Sequence, residues 1–275
     1  MPNKRSTCGI LALIVGTAVA CGKDSPPSSP PDPRPAVQLK DIAVPRLPAP
    51  YYHFAYDDSG RIDSVSFASD LTMYDVRYAD GRISELHNNI LVNHDRLVYV
   101  YDDAGRVRDV NYTNSSGTIF TRVHLGYSGN ALTTLTRERL ANGAFVIDKT
   151  MTFAYWPDGN ISDVTIHRPA IEGFQPDQTY NDHFDNYDTG INVDGFGLVH
   201  DEFSDHLVLL PTSQFQKNNA RRVTRTGDAD NFRVDYSYTY DNANRPLAKT
   251  GDLVFSTGPL LGRHFEDSAT YTYYD

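Results

Sequence analysis

The stretch YDDAGRVRDVNY, residues 101–112, reads as the end of one strand, a turn and the start of the next. A nearly identical stretch, YDDSGRIDSVSF, occupies residues 56–67. Before the turn, residues 97–101 read LVYVY, which are aromatic and β-branched types that favour a pleated strand. The Asp of the turn can bond its own backbone and the Gly tolerates a positive φ, as a short hairpin loop requires. Both stretches are therefore predicted to be β-hairpins.

Related turns begin at six tyrosines: Tyr56, Tyr78, Tyr101, Tyr127, Tyr155 and Tyr240. The first five are 22, 23, 26 and 28 residues apart, and the sixth follows after 85 residues. A period in the twenties fits two strands with their turns, so each repeat is predicted to be one hairpin. Sequential hairpins favour antiparallel pairing between neighbours in the chain. We therefore predict an all-β fold, an antiparallel meander of roughly ten to fourteen strands from about Tyr52 that forms a twisted, curved sheet resembling an open barrel or a sandwich.

After each turn the apolar residues step by three and then by two, as at Val107, Val110 and Tyr112. Strict alternation would put the first two on opposite faces of the sheet. A β-bulge just past the glycine would add one residue, return both to the same face and increase the local twist. The alternative is that the first apolar residue merely packs beneath the turn. We predict the bulge.

The N-terminus has the features of a bacterial secretion signal. Lys4 and Arg5 precede an uncharged, mostly apolar run at residues 9–20, which is too short to span a bilayer that needs about 20 residues. We interpret residues 1–20 as a signal peptide. The run ends in AVACG, residues 18–22, which resembles the lipobox of bacterial lipoproteins. That resemblance implies that Cys21 is lipidated and holds the protein on a membrane. An ordinary cleavage site with a cysteine nearby is the alternative.

The residues after Cys21 are rich in proline, as in DSPPSSPPDPRP at 24–35, and hold almost no large apolar side chains. Residues 21–50 are therefore predicted to form the lipidated cysteine and an extended tether. The protein is expected to be an outer-membrane lipoprotein of the cell envelope. Its periplasmic and surface-exposed positions both stay open.

Charge and cysteine content narrow the function classes. The formal net charge is −10, and cleavage after residue 20 removes Lys4 and Arg5 but no acid, which leaves −12. This acidic balance argues against nucleic acid and anionic headgroups as partners. With Cys8 removed and Cys21 lipidated, no disulfide can form, so stability must come from packing. We expect a monomer.

The turn motif also carries a family resemblance. YDDSGRI at residues 56–62 and YDDAGRV at 101–107 resemble the YD repeat of RHS and teneurin-type proteins. With the lipobox, KNNA at 217–220 and YTYD at 238–241, the chain is similar to YD-repeat lipoproteins of Bacteroidota, whose function is generally unassigned. The likeness implies one RHS-like β domain over residues 51–275. Because the motif mostly encodes a turn, it indicates fold more than activity.

The hairpin period breaks between about residues 167 and 220. This segment holds Pro169, Pro176 and acids among aromatics, as in TYNDHFDNYDTG at 179–190. It is predicted to be an irregular insertion packed on one face or edge of the sheet, with a partly helical stretch at 197–210. Insertions of this kind cap a sheet edge or form a site. If it forms a site, the candidate ligand-binding residues are those that the turn motif does not explain: Tyr180, His183, Asp185 and Tyr187.

No local motif points to catalysis or to a bound metal. Calcium ligands could come from Asp182, His183, Asp185, Asp188, Asn192 and Asp194. Their spacing departs from an EF-hand loop, because Gly190 stands where the first ligand belongs. His200 and His206 are six residues apart and match no zinc motif. We assign no catalytic residue, no metal and no cofactor. A pair of carboxylates for glycoside hydrolysis would meet in space rather than in sequence, so that chemistry stays open.

We therefore predict a lipid-anchored, non-enzymatic binding or structural module of the bacterial cell envelope. Its partners would be the membrane, through the lipid on Cys21, and a glycan or envelope protein that stacks on a sheet rich in tyrosine. One alternative is a periplasmic carrier of a lipid or other apolar ligand in the curved sheet. The second alternative is an uncharacterised hydrolase.

Overall fold

The computed structural model describes residues 37–90, 94–173, 176–200, 206–213 and 215–275. Within them lie sixteen β-strands, each paired antiparallel with its neighbours in chain order, and the last strand also pairs with the first to close a barrel. The strands are β1 Leu39–Ala43, β2 Tyr52–Tyr56, β3 Ile62–Phe67, β4 Thr72–Ala79, β5 Arg82–Asn88, β6 Arg96–Tyr101, β7 Val107–Thr113, β8 Ile119–Ser128, β9 Ala131–Ala141, β10 Ala144–Tyr155, β11 Ile161–Arg168, β12 Gln178–Asp185, β13 Arg222–Gly227, β14 Phe232–Tyr240, β15 Pro246–Phe255 and β16 His264–Tyr273. The proposed signal peptide, Cys21 and the tether as far as residue 36 lie outside the described residues.

The predicted all-β antiparallel meander is confirmed, but the predicted strand number and the open or sandwich-like sheet are wrong. Closure depends on β1, whose Ile42 pairs with Tyr52 on one side and Tyr271 on the other. This strand lies in the segment predicted to be a tether, between Pro35 and Pro45, and the flanking prolines hid it. The β domain therefore begins at or before residue 39 rather than at 51.

The turn of the opening stretch owes its shape to three residues. The backbone N–H of Gly105 donates to the carbonyl oxygen of Asp102 at 2.9 Å, and Gly105 has φ 81°, a conformation that glycine adopts without strain. The Asp102 carboxylate accepts the backbone N–H of Arg106 at 2.9 Å and its Nε at 2.8 Å. The motif thus fixes a hairpin loop by bonds within itself.

The predicted β-bulge is confirmed. Val100 pairs with Asp109, whereas Tyr101 pairs with Val107, so Arg108 is the extra residue. Val107 and Val110 are consequently both buried on the inner side of the sheet. The same shift of register occurs at the other turn tyrosines, Tyr56, Tyr78, Tyr127, Tyr155 and Tyr240.

Five of the six turn tyrosines, all except Tyr240, also join their hairpin to the preceding strand. The Tyr101 hydroxyl donates to the Ile83 carbonyl on the adjacent strand at 2.8 Å, and the Arg82 guanidinium lies 5.0 Å from the Tyr101 ring centroid. Six further tyrosines, here called the tyrosine clasps together with Tyr101, make the same bond at 2.6–3.0 Å: Tyr56, Tyr78, Tyr127, Tyr155, Tyr187 and Tyr273 donate to Leu39, Ile62, Val107, Leu132, Ile161 and Pro246. Burial raises the pKa of Tyr127 to about 12, so its hydroxyl remains a donor at neutral pH.

The two faces of the barrel wall differ in polarity. Inward-facing residues of β6 such as Leu97 and Tyr99 are buried, as are their counterparts on most other strands. The outer face carries cross-strand ion and histidine–aspartate pairs at 2.7–3.1 Å: Asp41–His53, Arg77–Glu85, Asp109–His124, Asp163–His183, Arg222–Asp235 and Asp252–His264. The barrel therefore has a mostly apolar interior, with a few buried charged groups such as the Arg137–Asp148 pair, and a charged outer wall.

The predicted insertion is shorter than expected and lies inside the barrel, not on a face or edge of the sheet. β12 falls within the predicted insertion but is a wall strand, which leaves residues 186–221 as the connection between β12 and β13. Its apolar side chains are buried at the barrel core, with Leu207 fully buried. Tyr99 anchors it by donating to the Leu209 carbonyl at 2.8 Å. The described residues of this connection, 186–200, 206–213 and 215–221, are below called the inner segment, and they fill part of the barrel.

The predicted helical stretch at 197–210 is wrong for the part that the structure describes. A short 3-10 helix spans Gly195–Leu198, residues 206–213 are irregular, and 201–205 lie outside the described residues. Two glycines, Gly195 and Gly197, disfavour an α-helix here. The apolar spacing has another cause, because Phe196 and Val199 pack against the barrel wall.

Replacing Tyr273 by Phe removes one tyrosine clasp and keeps the ring beneath Arg245, whose guanidinium lies 4.5 Å from it. The Pro246 carbonyl loses its donor, so we expect the free energy of unfolding to fall by about 1 kcal/mol in urea denaturation. The matched control is Tyr274→Phe, because the Tyr274 hydroxyl makes no hydrogen bond within the described part of the chain. The control should change stability by less than about 0.5 kcal/mol. Equal effects of the two substitutions would contradict the proposed role of the clasp.

A chain that begins at residue 51 tests the closure of the barrel. It lacks the buried side chains Leu39 and Ile42 and exposes the edges of β2 and β16. Each buried side chain of this size contributes roughly 1.5–3 kcal/mol, so the fragment should be less stable than a fragment from residue 37 by at least about 3 kcal/mol. Chemical denaturation measures the difference, and sedimentation should show association through the free edges. A stable, monomeric fragment 51–275 would refute the role of β1.

Candidate functional site

A cavity of about 430 Å³ lies inside the barrel on the side of β12 to β16. The inner segment borders it through Asn192 and Asp194, and the start of the wall borders it through Val44 and Tyr52. Small-molecule sites typically have volumes of roughly 300–1,000 Å³, so this cavity is large enough for a ligand. Its lining includes charged and phenolic groups, unlike the apolar core that the inner segment forms with the strands near β6.

One part of the cavity wall is an ion pair with two parallel hydrogen bonds. Arg225 Nε and Nη2 each lie 2.6 Å from a carboxylate oxygen of Asp182 on the neighbouring strand. The guanidinium also lies 4.3 Å from the ring centroid of Tyr180 and 4.8 Å from that of Phe232. Burial is the largest single influence and lowers the pKa of Arg225, but the hydrogen bond and the negative charge of Asp182 together raise that pKa above its ordinary value. The pair therefore stays charged and holds a fixed geometry.

A second charged group projects from β15. Lys249 Nζ lies 3.8 Å from Asp194 and 3.9 Å from Asp267, and it lies 5.1 Å from the ring centroid of Tyr236. Both carboxylates are beyond hydrogen-bond distance, and within the described residues this ammonium makes no shorter polar contact. The two carboxylates hold the ammonium by charge while its N–H donors remain available to a ligand.

Two tyrosine hydroxyls fix the carboxylates around Lys249. Tyr271 donates to Asp194 at 2.6 Å, and Tyr236 donates to Asp267. Burial, and then the charge of the adjacent carboxylate, raise the pKa of Tyr236 and of Tyr271. Both hydroxyls therefore remain donors at neutral pH. The carboxylate lone pairs that they leave can accept further hydrogen bonds.

Strand alternation explains why these residues meet. In β14, FRVDYSYTY, every second side chain from Phe232 faces the interior, which places Tyr236 and Tyr238 in the cavity wall. The register pairs Tyr238 with Lys249 on β15, and Lys249 with Ala269 on β16. A row of inward residues across three hairpin-connected strands thus lines the cavity.

Sequence reasoning identified β14 but missed Lys249 and Asp267 as candidate site residues. Most charged residues on the strands face water, and a single inward one looks the same in the sequence. Strand alternation could have identified Lys249. It precedes Gly251 by two residues and Leu253 by four, so all three side-chain positions lie on the inward face of β15. Deciding which set of alternate residues faces inward required the register between β15 and β14, which the sequence does not supply.

The structure does not bring the four predicted ligand-binding residues together. Tyr180 faces the interior beneath the Arg225 guanidinium. His183 faces outward, where its Nδ1 lies 2.9 Å from an aspartate of β11, and Asp185 shares that outward register at the end of β12. Tyr187 is a tyrosine clasp bound to β11. Of the four predicted residues, Tyr180 therefore packs beneath a residue of the cavity wall, His183 and Asp185 lie on the outer wall, and the Tyr187 hydroxyl has a structural role.

The residues considered for calcium are also dispersed. Asp182 and Asp194 reach the cavity, whereas Asp188 accepts hydrogen bonds from Tyr240 and from the backbone N–H of Gly190. In the ranges that the structure describes, no group of three or more His, Cys, Asp or Glu residues is arranged to hold a metal. His206 is engaged elsewhere, since its Nδ1 lies 2.6 Å from the Tyr74 hydroxyl. No helix among the described residues is long and apolar enough to cross a membrane.

Comparison with known proteins concerns the fold. No protein-family model matches the chain, and no curated protein gives a significant match. The chain is similar to the crystal structure of a porin-like protein from Bacteroides uniformis, with a TM-score of 0.59 and 14% identity over 91% of this chain and 100% of the other. It is also similar to a porin-like protein from Bacteroides vulgatus, with a TM-score of 0.55 and 11% identity over 86% of this chain and 99% of the other. At these identities the likeness shows the fold alone.

These similarities correct the resemblance to YD-repeat, RHS-like lipoproteins drawn from the sequence. The chain forms a closed antiparallel barrel like the porin-like structures, not the open sheet that the YD-repeat resemblance implied. The Tyr-Asp-x-x-Gly-Arg motif misled because its residues have local roles in the loop, the bulge and the clasp. A motif with those roles reports a hairpin geometry rather than a family.

Proposed function

We propose that this protein is a non-enzymatic binding protein of the bacterial cell envelope, which holds a small polar ligand inside its barrel. The observation that carries the proposal is the cavity between β12–β16 and the inner segment, where paired charges and tyrosine hydroxyls surround a space large enough for a ligand. Burying polar groups is costly unless they are paired, and here Arg225 and Asp182 are paired before any ligand arrives. A preformed polar cavity of this kind suits ligand binding.

Two features distinguish this role from that of a transmembrane pore. Strands that cross a bilayer turn apolar side chains towards lipid, and a charged side chain there costs up to roughly 2–4 kcal/mol. The outer wall instead carries ionic pairs such as Arg77–Glu85 and Arg222–Asp235 on opposite parts of the strand order. The lumen, in addition, contains the inner segment with its buried Leu207. Both features support a barrel that stands in water beside a membrane.

A carrier of lipid or another apolar ligand is less well supported by the same cavity. An acyl chain would have to displace water from Lys249, Asp194 and Asp267 without replacing its hydrogen bonds. A hydrolase would need a carboxylate or histidine free to transfer protons, whereas Tyr271 and Tyr236 already bind the two carboxylates near Lys249. The cavity thus favours binding over either alternative.

The membrane connection rests on the N-terminal sequence. Lipid on Cys21 would hold the protein at the outer membrane, and the proline-rich residues that follow would separate the barrel from it. The described chain enters the barrel through β1 at the end that carries the Tyr-Asp turns, because Tyr56 at the first turn binds Leu39. The opposite end, where the cavity meets Val44 and Phe232, would then face away from the point of attachment.

The cavity can be tested by filling it. Ala269 lines the cavity, so Ala269→Leu places a larger side chain there, whereas Ala248→Leu makes the same change on the outward face of the neighbouring strand. The purified protein should be screened with neutral sugars, uronic acids, amino acids and fatty acids by thermal melting and calorimetry. We expect a compound that binds the wild type and the Ala248 variant and loses roughly tenfold or more in affinity for the Ala269 variant, or about 1.4 kcal/mol. An affinity that the Ala269→Leu substitution leaves unchanged, or turnover of any compound, would refute the proposal.

Lipidation can be tested in cells supplied with a tagged palmitate analogue. Cys21→Ser should abolish the label and release the protein from membranes, because the thiol that would carry the lipid is gone. Cys8→Ser is the matched control, since Cys8 lies in the proposed signal peptide, and it should leave label and membrane association unchanged. Persistence of the label on the Cys21 variant would rule out lipid attachment at this residue.

A further inference from the structure

The charges that line the cavity restrict the chemistry of its ligand. Three carboxylates, of Asp182, Asp194 and Asp267, face it, and two cations, Arg225 and Lys249, balance all but one of them. An anionic ligand would meet the excess carboxylate, and a cationic ligand would compete with Lys249 for the same two aspartates. The balance therefore favours a ligand with no net charge.

The polar groups of the cavity favour a ligand that both donates and accepts hydrogen bonds. Lys249 Nζ stands 3.8 Å from Asp194 and 3.9 Å from Asp267, a separation at which polar groups are commonly bridged rather than bonded directly. An ammonium only donates and a carboxylate only accepts. A hydroxyl group does both, so one hydroxyl can accept from Lys249 and donate to either aspartate. The two separations, to Asp194 and to Asp267, can each be bridged by one hydroxyl, which favours a ligand with more than one hydroxyl.

Aromatic rings supply the remaining surface. Phe232, Tyr236 and Tyr238 lie on the inward face of β14, with Val234 between the first two, and the Tyr236 and Tyr238 ring centroids are 6.1 Å apart. The aliphatic C–H face of a sugar ring is an apolar surface that can pack on such rings while its hydroxyls reach the charged groups. A purely polar ligand would leave these rings uncovered.

We propose that the ligand is a neutral, polyhydroxylated molecule, a mono- or disaccharide, bound between the β14 rings and the group formed by Lys249, Asp194 and Asp267. This assignment rests on the proposed function and deepens it. Lys249 is the principal donor to a ligand hydroxyl, and the two aspartates accept from neighbouring hydroxyls. The Arg225–Asp182 pair closes the far wall and keeps its geometry without the ligand.

The ligand charge can be tested with sugars that share one ring. Glucose, glucuronate and glucosamine differ in charge at nearly equal volume, and the same comparison extends to disaccharides built from them. Affinities for the full-length protein are measured by calorimetry, with the Ala269→Leu variant identifying binding in the cavity. We expect the neutral sugar to bind roughly tenfold or more tightly than either charged relative. A charged sugar that binds more tightly than the neutral one in the cavity would overturn the inference.

Two substitutions test the assigned groups. Lys249→Met should weaken binding of the neutral sugar roughly tenfold or more, whereas Lys40→Met, which removes a lysine outside the cavity, should have no effect. Asp267→Asn keeps the shape and the bond from Tyr236 but removes one negative charge, so it should narrow the gap between glucuronate and glucose several-fold. This second variant keeps the test decisive if Lys249→Met proves unstable by circular dichroism.

The outcomes separate the two proposals. If an amino acid or a uronic acid, but no neutral sugar, binds in a manner that Ala269→Leu abolishes, the sugar assignment fails and the binding function stands. If only a fatty acid binds in this manner, both proposals fail in favour of an apolar carrier. If no compound of any class is sensitive to Ala269→Leu, the binding function fails and the assignment fails with it. Unchanged sugar affinity in a folded Lys249→Met variant would overturn the role of the ammonium.

Discussion

The hydrogen bond from a turn tyrosine to the carbonyl of the preceding hairpin is the interaction on which this barrel depends. A single such bond contributes about 1 kcal/mol, which is small beside the apolar core. The position of the bond makes it important. Tyr101 is both the donor to the Ile83 carbonyl and the residue at which the register with β7 shifts. At five of the six turn tyrosines, Tyr56, Tyr78, Tyr101, Tyr127 and Tyr155, the bond and the bulge thus occur at the same residue. Bulges at repeated positions add twist, and accumulated twist allows a long meander to return to its first strand.

A barrel of this many strands encloses a lumen too wide for the side chains of the wall to fill. About eight strands enclose an interior that side chains can fill, whereas barrels of 16 or more leave an open lumen. This chain closes with sixteen described strands and places the inner segment within the lumen. The buried Leu207 and the bond from Tyr99 to Leu209 show the inner segment acting as core rather than as a surface loop. Where the inner segment does not reach, polar groups on β12 to β16 surround the remaining cavity.

Whether the sequence could predict a structural feature depends on how far apart in the chain the interacting residues lie. The hairpin loop and the bulge were predictable because Asp102, Gly105 and the apolar step from Val107 to Val110 lie within ten residues of one another. Strand β1 was not, since LKDIA gains its partners from β2 and from β16 at the far end of the chain. The cavity was missed for the same reason: Lys249 becomes a site residue through Asp194 and Asp267, which register and the inner segment bring to it. Neither relation leaves a trace in local spacing.

The polarity of the wall explains why two barrels with the same strand topology need not have the same function. In any antiparallel barrel, neighbouring residues along a strand face opposite sides, so one shift of phase exchanges the interior and exterior sets. Here Tyr99 and Leu97 face inward, and pairs such as Asp109 with His124 face outward. A barrel patterned in this way gains much of its stability from its apolar core, and the inner segment occupies part of its lumen. The apolar inward pattern is broken at the buried Arg137–Asp148 pair, where the charges satisfy each other, and around the cavity, where charged and phenolic groups border open space that a ligand can occupy.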